Sequence, residues 1–291
     1  MTDLPTNLKT HVAILAGEIG ERNVLLPDAL RAAESYIAET WQSQGYAVRR
    51  QVYEAGGIEC ANLEVERRGS LWPEEIILIG AHYDSVFGSP GADDNASGVA
   101  ALLELSRSFV TVEPERTLRF VAFVNEEPPF FAGSRMGSLV YARAAKRRGD
   151  RIRLMVSLEM LGCYLDTPGS QSYPPLLRHF YPDRGNFIAF ISNWRSREIL
   201  RRFCQVFRKH SDFPMESLAA PIFVPGVAMS DQFSFWRQGY PGIMVTDTAF
   251  CRYHWYHTAG DLPEHLCYEP FARVVSGLRA TFLALGCGGW E

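Results

Sequence analysis

Residues 76–85 have the sequence IILIGAHYDS, an apolar run that changes abruptly into a polar one. Four aliphatic residues followed by Gly80 and Ala81 predict a strand that is buried on both faces, as in the interior of a parallel sheet. His82 and Asp84 end this stretch two positions apart, so in extended chain they point to the same side. A lone histidine at a strand end is more often structural than functional, and this motif by itself indicates only the fold.

Strands and helices alternate on both sides of this stretch. The other predicted strands are Val48–Tyr53, Asn62–Glu66, Leu118–Val124, Leu154–Leu158, Phe187–Ser192 and Gly242–Thr246. The predicted helices are Pro27–Gln44, Ser97–Phe109, Ser138–Lys146, Ser196–Lys209 and Phe271–Leu285. This alternation predicts an α/β fold, a three-layer sandwich with a mixed, mainly parallel central sheet and helices on both faces. Ligands of such sheets bind beyond the carboxyl ends of the strands.

A glycine-framed loop, GADDNASG at residues 91–98, leads into the next helix. It contains two adjacent carboxylates, Asp93 and Asp94. Capping of the helix N-terminus is an alternative for Asp93 or Asn95. Capping does not explain why two carboxylates stand together in this loop.

Three further polar motifs follow predicted strands. VNEE (residues 124–127) brings Glu126 and Glu127 to the end of a buried strand, where two carboxylates are costly to desolvate without a cation or a proton. A solvent-facing turn is the alternative for this motif. SLEM (residues 157–160) contributes Glu159, and WYHTAGD (residues 255–261) contributes His257.

Two imidazoles and three carboxylates therefore follow the strands: His82, Asp94, Glu127, Glu159 and His257. Mixed nitrogen and oxygen ligands suit zinc. With one carboxylate shared between ions, five such side chains can hold a metal pair about 3.5–4 Å apart. The sequence thus predicts a metal site, provided that these distant stretches meet.

Charge and composition exclude several other classes of protein. The formal net charge of −4 opposes binding to nucleic acid or to an anionic membrane. No apolar run approaches the roughly 18 residues of a membrane span, and the first residues do not resemble a secretory signal. Six scattered cysteines without a C-x-x-C pair indicate free thiols. We therefore expect a cytoplasmic protein; its oligomeric state is not predicted.

In this order, HYDS, GADDNASG, NEE, SLEM, SDQFSFW and YHTAGD resemble the motifs of the bacterial di-zinc aminopeptidases. That family also includes the glutaminyl cyclases and the transferrin-receptor-like proteins. The resemblance covers nearly the whole chain and implies a single zinc-exopeptidase-like catalytic domain over residues 1–291. It also implies a zinc-dependent exopeptidase, in particular an aminopeptidase, that acts on a peptide substrate with two zinc ions per chain.

The resemblance also assigns the ligands by motif position. It implies that His82, Asp94 and Glu159 hold one zinc ion. Asp94, the fourth residue of GADDNASG, would bridge to a second ion completed by Glu127 and His257. Glu159 stands where the best-known aminopeptidases have aspartate.

Three catalytic roles follow from the same resemblance. Glu126 would be the general base that takes a proton from a metal-bridging water. Asp84 would support His82, and Tyr256 would stabilise the oxyanion.

Two other interpretations remain open. A single-zinc, glutaminyl-cyclase-like acyltransferase would use Asp94, Glu127 and His257 as ligands and leave Glu159 and Asp231 for proton handling. Asp231 is alternatively a cap of the helix that follows it. A non-catalytic binding scaffold is the third interpretation, although all five candidate ligands and the candidate base are present. Oxygen-rich ligands would also accept cobalt or manganese.

Overall fold

The computed structural model describes residues 3–174 and 177–288. Its centre is one sheet of eight strands: β1 (Arg49–Ala55), β2 (Ile58–Arg67), β3 (Trp72–His82), β4 (Arg116–Phe123), β5 (Arg151–Glu159), β6 (Ile188–Asn193), β7 (Met215–Ala220) and β8 (Gly242–Thr246). Their order across the sheet is β1-β2-β4-β3-β5-β8-β6-β7.

The middle of this sheet is parallel. β3 pairs in parallel with β4 on one side and β5 on the other, and β5 pairs in parallel with β8. The antiparallel pairs lie further out, where β2 pairs with β1 and β4, and β6 pairs with β8. The carboxyl ends of four neighbouring strands, β4, β3, β5 and β8, consequently meet at one edge. The predicted mixed, mainly parallel sheet is confirmed.

Helices cover both faces of the sheet. They are α1 (Leu4–Val12), α2 (Pro27–Ser43), α3 (Gly98–Ser108), α4 (Gly137–Arg148), α5 (Arg197–His210), α6 (Gln232–Arg237) and α7 (Tyr268–Gly286). Alternate residues of β3 point to opposite faces. Ile77 and Ile79 belong to the larger core, which includes residues of α1, α2, α3, α5 and α7. Leu78 belongs to a smaller core with Tyr141 of α4 and Phe235 of α6. The three-layer α/β sandwich is therefore confirmed.

Most elements lie where the sequence patterns predict them, but α1 and β7 do not come from those patterns. β7 is at the edge of the sheet beside β6. Five of its six residues are only partly buried. It therefore lacks the continuous apolar run that marks an interior strand.

Two features of the structure relate to the predicted compartment, the state of the cysteines and the search for membrane-spanning helices. All six cysteines lie within the described residues and are free thiols. None of the helices described is both long enough and apolar enough to cross a membrane. The cytoplasmic location stays a prediction.

Candidate metal centre

The polar motifs meet at the carboxyl edge of the four parallel strands. His82 is the last residue of β3, and Glu159 is the last residue of β5. Glu127 lies four residues after the end of β4, and His257 lies in the loop that follows β8. Asp94 comes from the loop that precedes α3. The sheet therefore brings together side chains that are far apart in the sequence.

Three candidate metal ligands, His82, Asp94 and Glu159, form a first donor group, in which each residue offers one atom that could bind a metal ion. Nε2 of His82 lies 3.3 Å from Oδ1 of Asp94 and 3.4 Å from Oε2 of Glu159. All three residues are buried. These distances are short enough for one cation to contact all three side chains.

A second group is formed by Asp94, Glu127 and His257. Nε2 of His257 lies 3.1 Å from Oδ2 of Asp94 and 3.4 Å from Oε2 of Glu127. Asp94 thus faces one histidine with each of its carboxylate oxygens. The five side chains that the sequence predicts as ligands therefore form two donor groups that share one carboxylate.

Several of the candidate metal-ligand atoms in these two groups make no hydrogen bond within the described residues. His82 Nε2, Asp94 Oδ1 and Glu127 Oε1 are buried and have no hydrogen-bond partner of suitable geometry there. Buried polar atoms are normally satisfied, so their shared position needs an explanation. A cation between nitrogen and carboxylate donors provides one, and this donor set fits zinc.

Electrostatics at the site also favours a cation. Burial lowers the pKa of His257, but the carboxylates of Asp94 and Glu127 outweigh that effect and raise it to about 10. Burial raises the pKa of Glu127 to about 7, and the nearby charge of Asp94 adds to the shift. The carboxylates therefore retain protons on the imidazoles, and a divalent metal would compete with those protons.

Asp84 holds the backbone of the NEE motif. Its two carboxylate oxygens each accept a 3.1 Å hydrogen bond, from the N–H groups of Glu126 and Glu127. Its contact with His82 is of a different kind. Nδ1 of His82 lies 3.2 Å from the carbonyl oxygen of Asp84 and 3.6 Å from the carboxylate. Asp84 therefore orients both the histidine and the two glutamates.

Asp261 holds the backbone of the GADDNASG loop. Its carboxylate accepts hydrogen bonds from the N–H groups of Asp93 (2.8 Å) and Asp94 (3.1 Å). It also accepts a 2.9 Å hydrogen bond from the hydroxyl of Tyr253. Sequence reasoning did not assign this role, although Asp261 ends the WYHTAGD motif. Its position four residues after His257, in the same motif, is the feature of the sequence that could have indicated a role at the site.

Asp93 and Asp94 have different surroundings. Oδ1 of Asp93 accepts a 2.8 Å hydrogen bond from the N–H of Gly162. Burial raises the pKa of Asp93, and the adjacent carboxylate of Asp247 raises it further. Asp93 therefore supports the loop after β5, while Asp94 faces the histidines.

Two further residues orient this edge and were not identified from the sequence. The hydroxyl of Ser230 donates a 2.6 Å hydrogen bond to Oε2 of Glu159. The fully buried guanidinium of Arg22 donates to the carbonyl oxygens of Tyr83 (2.7 Å) and Gly91 (2.9 Å). Arg22 thereby links the HYDS strand end to the GADDNASG loop.

Glu126 and Tyr256 border the two donor groups. Glu126 is buried. Burial raises its pKa, and the neighbouring charges of Glu159 and Glu127 act in the same direction. The ring of Tyr256 stacks on that of His257, with centroids 3.8 Å apart. Burial also raises the pKa of Tyr256 and keeps its hydroxyl protonated.

Asp231 is the N-cap residue of α6, but its side chain makes no capping hydrogen bond. Both of its carboxylate oxygens are buried and lack a hydrogen-bond partner among the described residues. Burial raises its pKa to about 7. The capping interpretation of Asp231 is therefore wrong. His254, near the site in sequence, is exposed and packs edge-on against Trp255.

Comparison with known protein families gives one clear match. The model of peptidase family M28 matches residues 62–281. An uncharacterized protein of Escherichia coli, YfbL, is 38% identical over 283 residues, which is 94% of this chain and 86% of that protein. A probable aminopeptidase of Saccharomyces cerevisiae, YDR415C, is 26% identical over 75% of this chain. The match covers 55% of the yeast protein, so this chain spans about half its length.

Solved structures share the fold. A zinc aminopeptidase of Bacillus subtilis superposes with a TM-score of 0.77 at 14% identity, covering 99% of this chain and 96% of that chain. A glutaminyl cyclase of Fimbriiglobus ruber superposes with a TM-score of 0.72 at 18% identity, covering 95% of this chain and 94% of that chain. At these identities the likeness establishes the α/β architecture alone.

Proposed function

This chain belongs to peptidase family M28. We propose that it is an aminopeptidase that binds two zinc ions and removes the N-terminal residue of peptides. As a member of that family, it is a hydrolase of the zinc metallopeptidase class. The observation that carries the proposal is the sharing of Asp94. One of its oxygens lies 3.3 Å from His82 and the other 3.1 Å from His257, so two donor groups adjoin through one carboxylate.

In this proposal His82, Asp94 and Glu159 hold one ion, and Asp94, Glu127 and His257 hold the other. Zinc bound there would polarise the scissile carbonyl and make a water molecule more acidic. The protein residues around the ions then have to orient the peptide and move one proton.

Glu126 is proposed as the general base. It adjoins the ligand Glu127 but belongs to neither donor group. The hydrogen bond from its N–H to Asp84 fixes its backbone at the site. A buried carboxylate with a raised pKa accepts a proton from water more readily than an exposed one. The same carboxyl group would return the proton to the leaving amine.

Tyr256 is proposed as a hydrogen-bond donor to the oxyanion that develops on the substrate carbonyl. Stacking on His257 holds its ring beside the second donor group. A hydroxyl whose pKa is raised remains a donor throughout the working pH range.

The glutaminyl-cyclase-like acyltransferase remains the second candidate, because Asp231 is buried with its pKa raised to about 7. A group with this pKa can exchange protons near neutral pH. One zinc ion on Asp94, Glu127 and His257 would then suffice. The contacts of His82 with Asp94 and Glu159 favour the peptidase, because they form a second donor group that would hold no metal in a single-zinc site.

Metal counting and product analysis distinguish the candidates. For the zinc-saturated protein we expect close to two zinc ions per chain and release of aniline from aminoacyl-anilides. N-terminal glutaminyl peptides should lose their glutamine without forming a cyclic product. One zinc ion per chain with pyroglutamyl product would instead establish the cyclase, and no bound zinc would favour a binding scaffold.

A further inference from the structure

A pocket opens beside the candidate metal centre, over one face of β8, β6 and β7. The other face of these strands is covered by α5, where Phe190 of β6 packs against Phe203 and Phe207. On the pocket side, loops and short turns form the roof, including Tyr173, Tyr181 and Phe250. The pocket therefore has a rigid sheet floor and a roof made of connecting segments.

The floor of the pocket contains one cross-strand row that runs away from the metal centre. Glu159 of β5 pairs with Thr246 of β8, Thr246 pairs with Ala189 of β6, and Ala189 pairs with Glu216 of β7. Side chains of paired residues point to the same face of a sheet. All four residues line the pocket.

This row sets the length of the pocket. Three steps between neighbouring strands, each about 4.8 Å, separate the backbones of Glu159 and Glu216 by roughly 14 Å. Glu159 is at the metal end, where the scissile bond would lie. Glu216 is at the far end, within reach of long substrate side chains only.

The chemistry of the pocket changes along its length. Thr246 and Ala189 lie between the two glutamates in this row. The next row on the same face of the sheet is apolar and consists of Met244, Ile191 and Leu218. Glu216 is partly buried, and none of the Lys or Arg side chains described forms an ion pair with it within 4.0 Å. Burial raises its pKa, and the charge of Arg208 on α5 partly opposes that shift. A partly desolvated carboxylate without a close partner favours a cationic ligand.

From this arrangement we infer that the pocket selects an N-terminal lysine or arginine and that Glu216 is the specificity-determining residue. The apolar stem of such a side chain packs along the floor, and its cationic end pairs with the Glu216 carboxylate. Leucine or methionine would fill the near part of the pocket without reaching that carboxylate. This inference rests on the proposed aminopeptidase function, because that function places the first residue of the peptide in the pocket.

The first test compares kcat/KM for arginine, lysine and leucine anilides on the zinc-saturated protein. We expect arginine and lysine to exceed leucine by about tenfold or more, as is typical of a charged hydrogen bond in a partly desolvated site. Glu216→Gln should reduce that ratio by about tenfold, chiefly through KM. Glu198→Gln on α5 removes an equal charge from an exposed position and should leave the ratio unchanged. An unchanged ratio in Glu216→Gln would overturn the inference.

A second test needs no hydrolysis. Calorimetry on the same zinc-saturated protein would compare binding of the free amino acids L-arginine and L-leucine, which have no bond to cleave, with tighter binding of L-arginine that depends on Glu216. If the anilides are not cleaved but this dependence is observed, the aminopeptidase proposal fails and the pocket inference stands. If leucine anilide is cleaved but both amino acids bind equally to wild type and Glu216→Gln, the pocket inference fails and the aminopeptidase proposal stands.

Discussion

The backbone N–H of Asp94 donates a 3.1 Å hydrogen bond to Oδ2 of Asp261, a residue 167 positions further along the chain. The other oxygen of the same carboxylate binds the N–H of Asp93. Asp261 therefore fixes the loop from which Asp94 faces both His82 and His257. Hydrogen-bond partners that orient the ligands of a metal ion raise metal affinity. Asp261 would have this effect if Asp94 binds zinc as proposed.

Replacing that carboxylate should weaken metal binding. In Asp261→Asn one oxygen remains, but an amide NH₂ group turns toward a backbone N–H that needs an acceptor. We expect zinc affinity to fall by about 10–100-fold. Competition with a chelating indicator would measure the change, and Asp212→Asn provides a control at an exposed position. Wild-type affinity in Asp261→Asn would contradict this role.

Loss of the proposed base should affect turnover and not metal content. Glu126→Gln retains the shape of the side chain but cannot accept the proton, so we expect kcat to fall by at least about 10²–10⁴-fold. Elemental analysis should find the wild-type zinc content. Glu39→Gln, exposed on α2, serves as the control. Unchanged turnover in Glu126→Gln would rule out its assignment as the base.

The two donor groups should lose metal separately. His257→Ala removes a proposed ligand that belongs to the second group alone, so the zinc content should fall from near two ions per chain to near one. His254→Ala removes an exposed histidine three positions away and should retain both ions. Elemental analysis after extensive dialysis would measure both variants. Two ions retained in His257→Ala would exclude this histidine as a ligand.

Stability should depend on pH through Glu104 of α3. Burial alone raises its pKa, but hydrogen bonds from His11, Arg107 and Asn7 outweigh that effect and lower it to about 2. A carboxyl group with a lowered pKa in the folded state stabilises the fold above the unfolded pKa of 4.5, and this contribution is lost as pH falls towards 2.

Glu104→Gln should therefore lower the free energy of unfolding by about 1–2 kcal/mol at pH 7. The difference from wild type should shrink as pH falls from 4.5 to 3. Urea unfolding across that range would measure it. Glu198→Gln, whose ion pair with Arg201 is exposed, should show little pH dependence. A constant difference between wild type and Glu104→Gln at all pH values would contradict the role of the carboxylate charge.

Arg22 should be important for stability. Its buried guanidinium donates to the carbonyl oxygens of Leu15, Gly20, Tyr83, Pro90 and Gly91. Arg22→Met leaves these acceptors without their donor, and we expect a loss of about 3–5 kcal/mol in the free energy of unfolding. Arg31→Met, on the exposed face of α2, is the matched control. A loss below about 1 kcal/mol, measured by urea unfolding, would contradict this expectation.

Sequence alone was sufficient for the architecture and for the identity of the side chains that meet. Apolar runs such as residues 76–81 predict interior strands because burial on both faces of a parallel sheet requires continuous apolar sequence. The carboxyl ends of such strands meet at one edge, so polar motifs after four of them predict a common site. The edge strand β7 was missed because its half-exposed residues carry no such pattern.

Tertiary structure alone decided which residues hold the predicted side chains in position. Arg22 binds carbonyl groups of the HYDS strand end and of the start of the GADDNASG loop, Asp261 binds the amides of that loop, and Ser230 binds Glu159. Glu216 lines the pocket beside this site because three cross-strand pairs connect its strand to that of Glu159. Local periodicity records which face of an element is buried. It carries no information about which distant residue supplies the hydrogen bond or the charge at a given point, because that depends on how the whole chain packs.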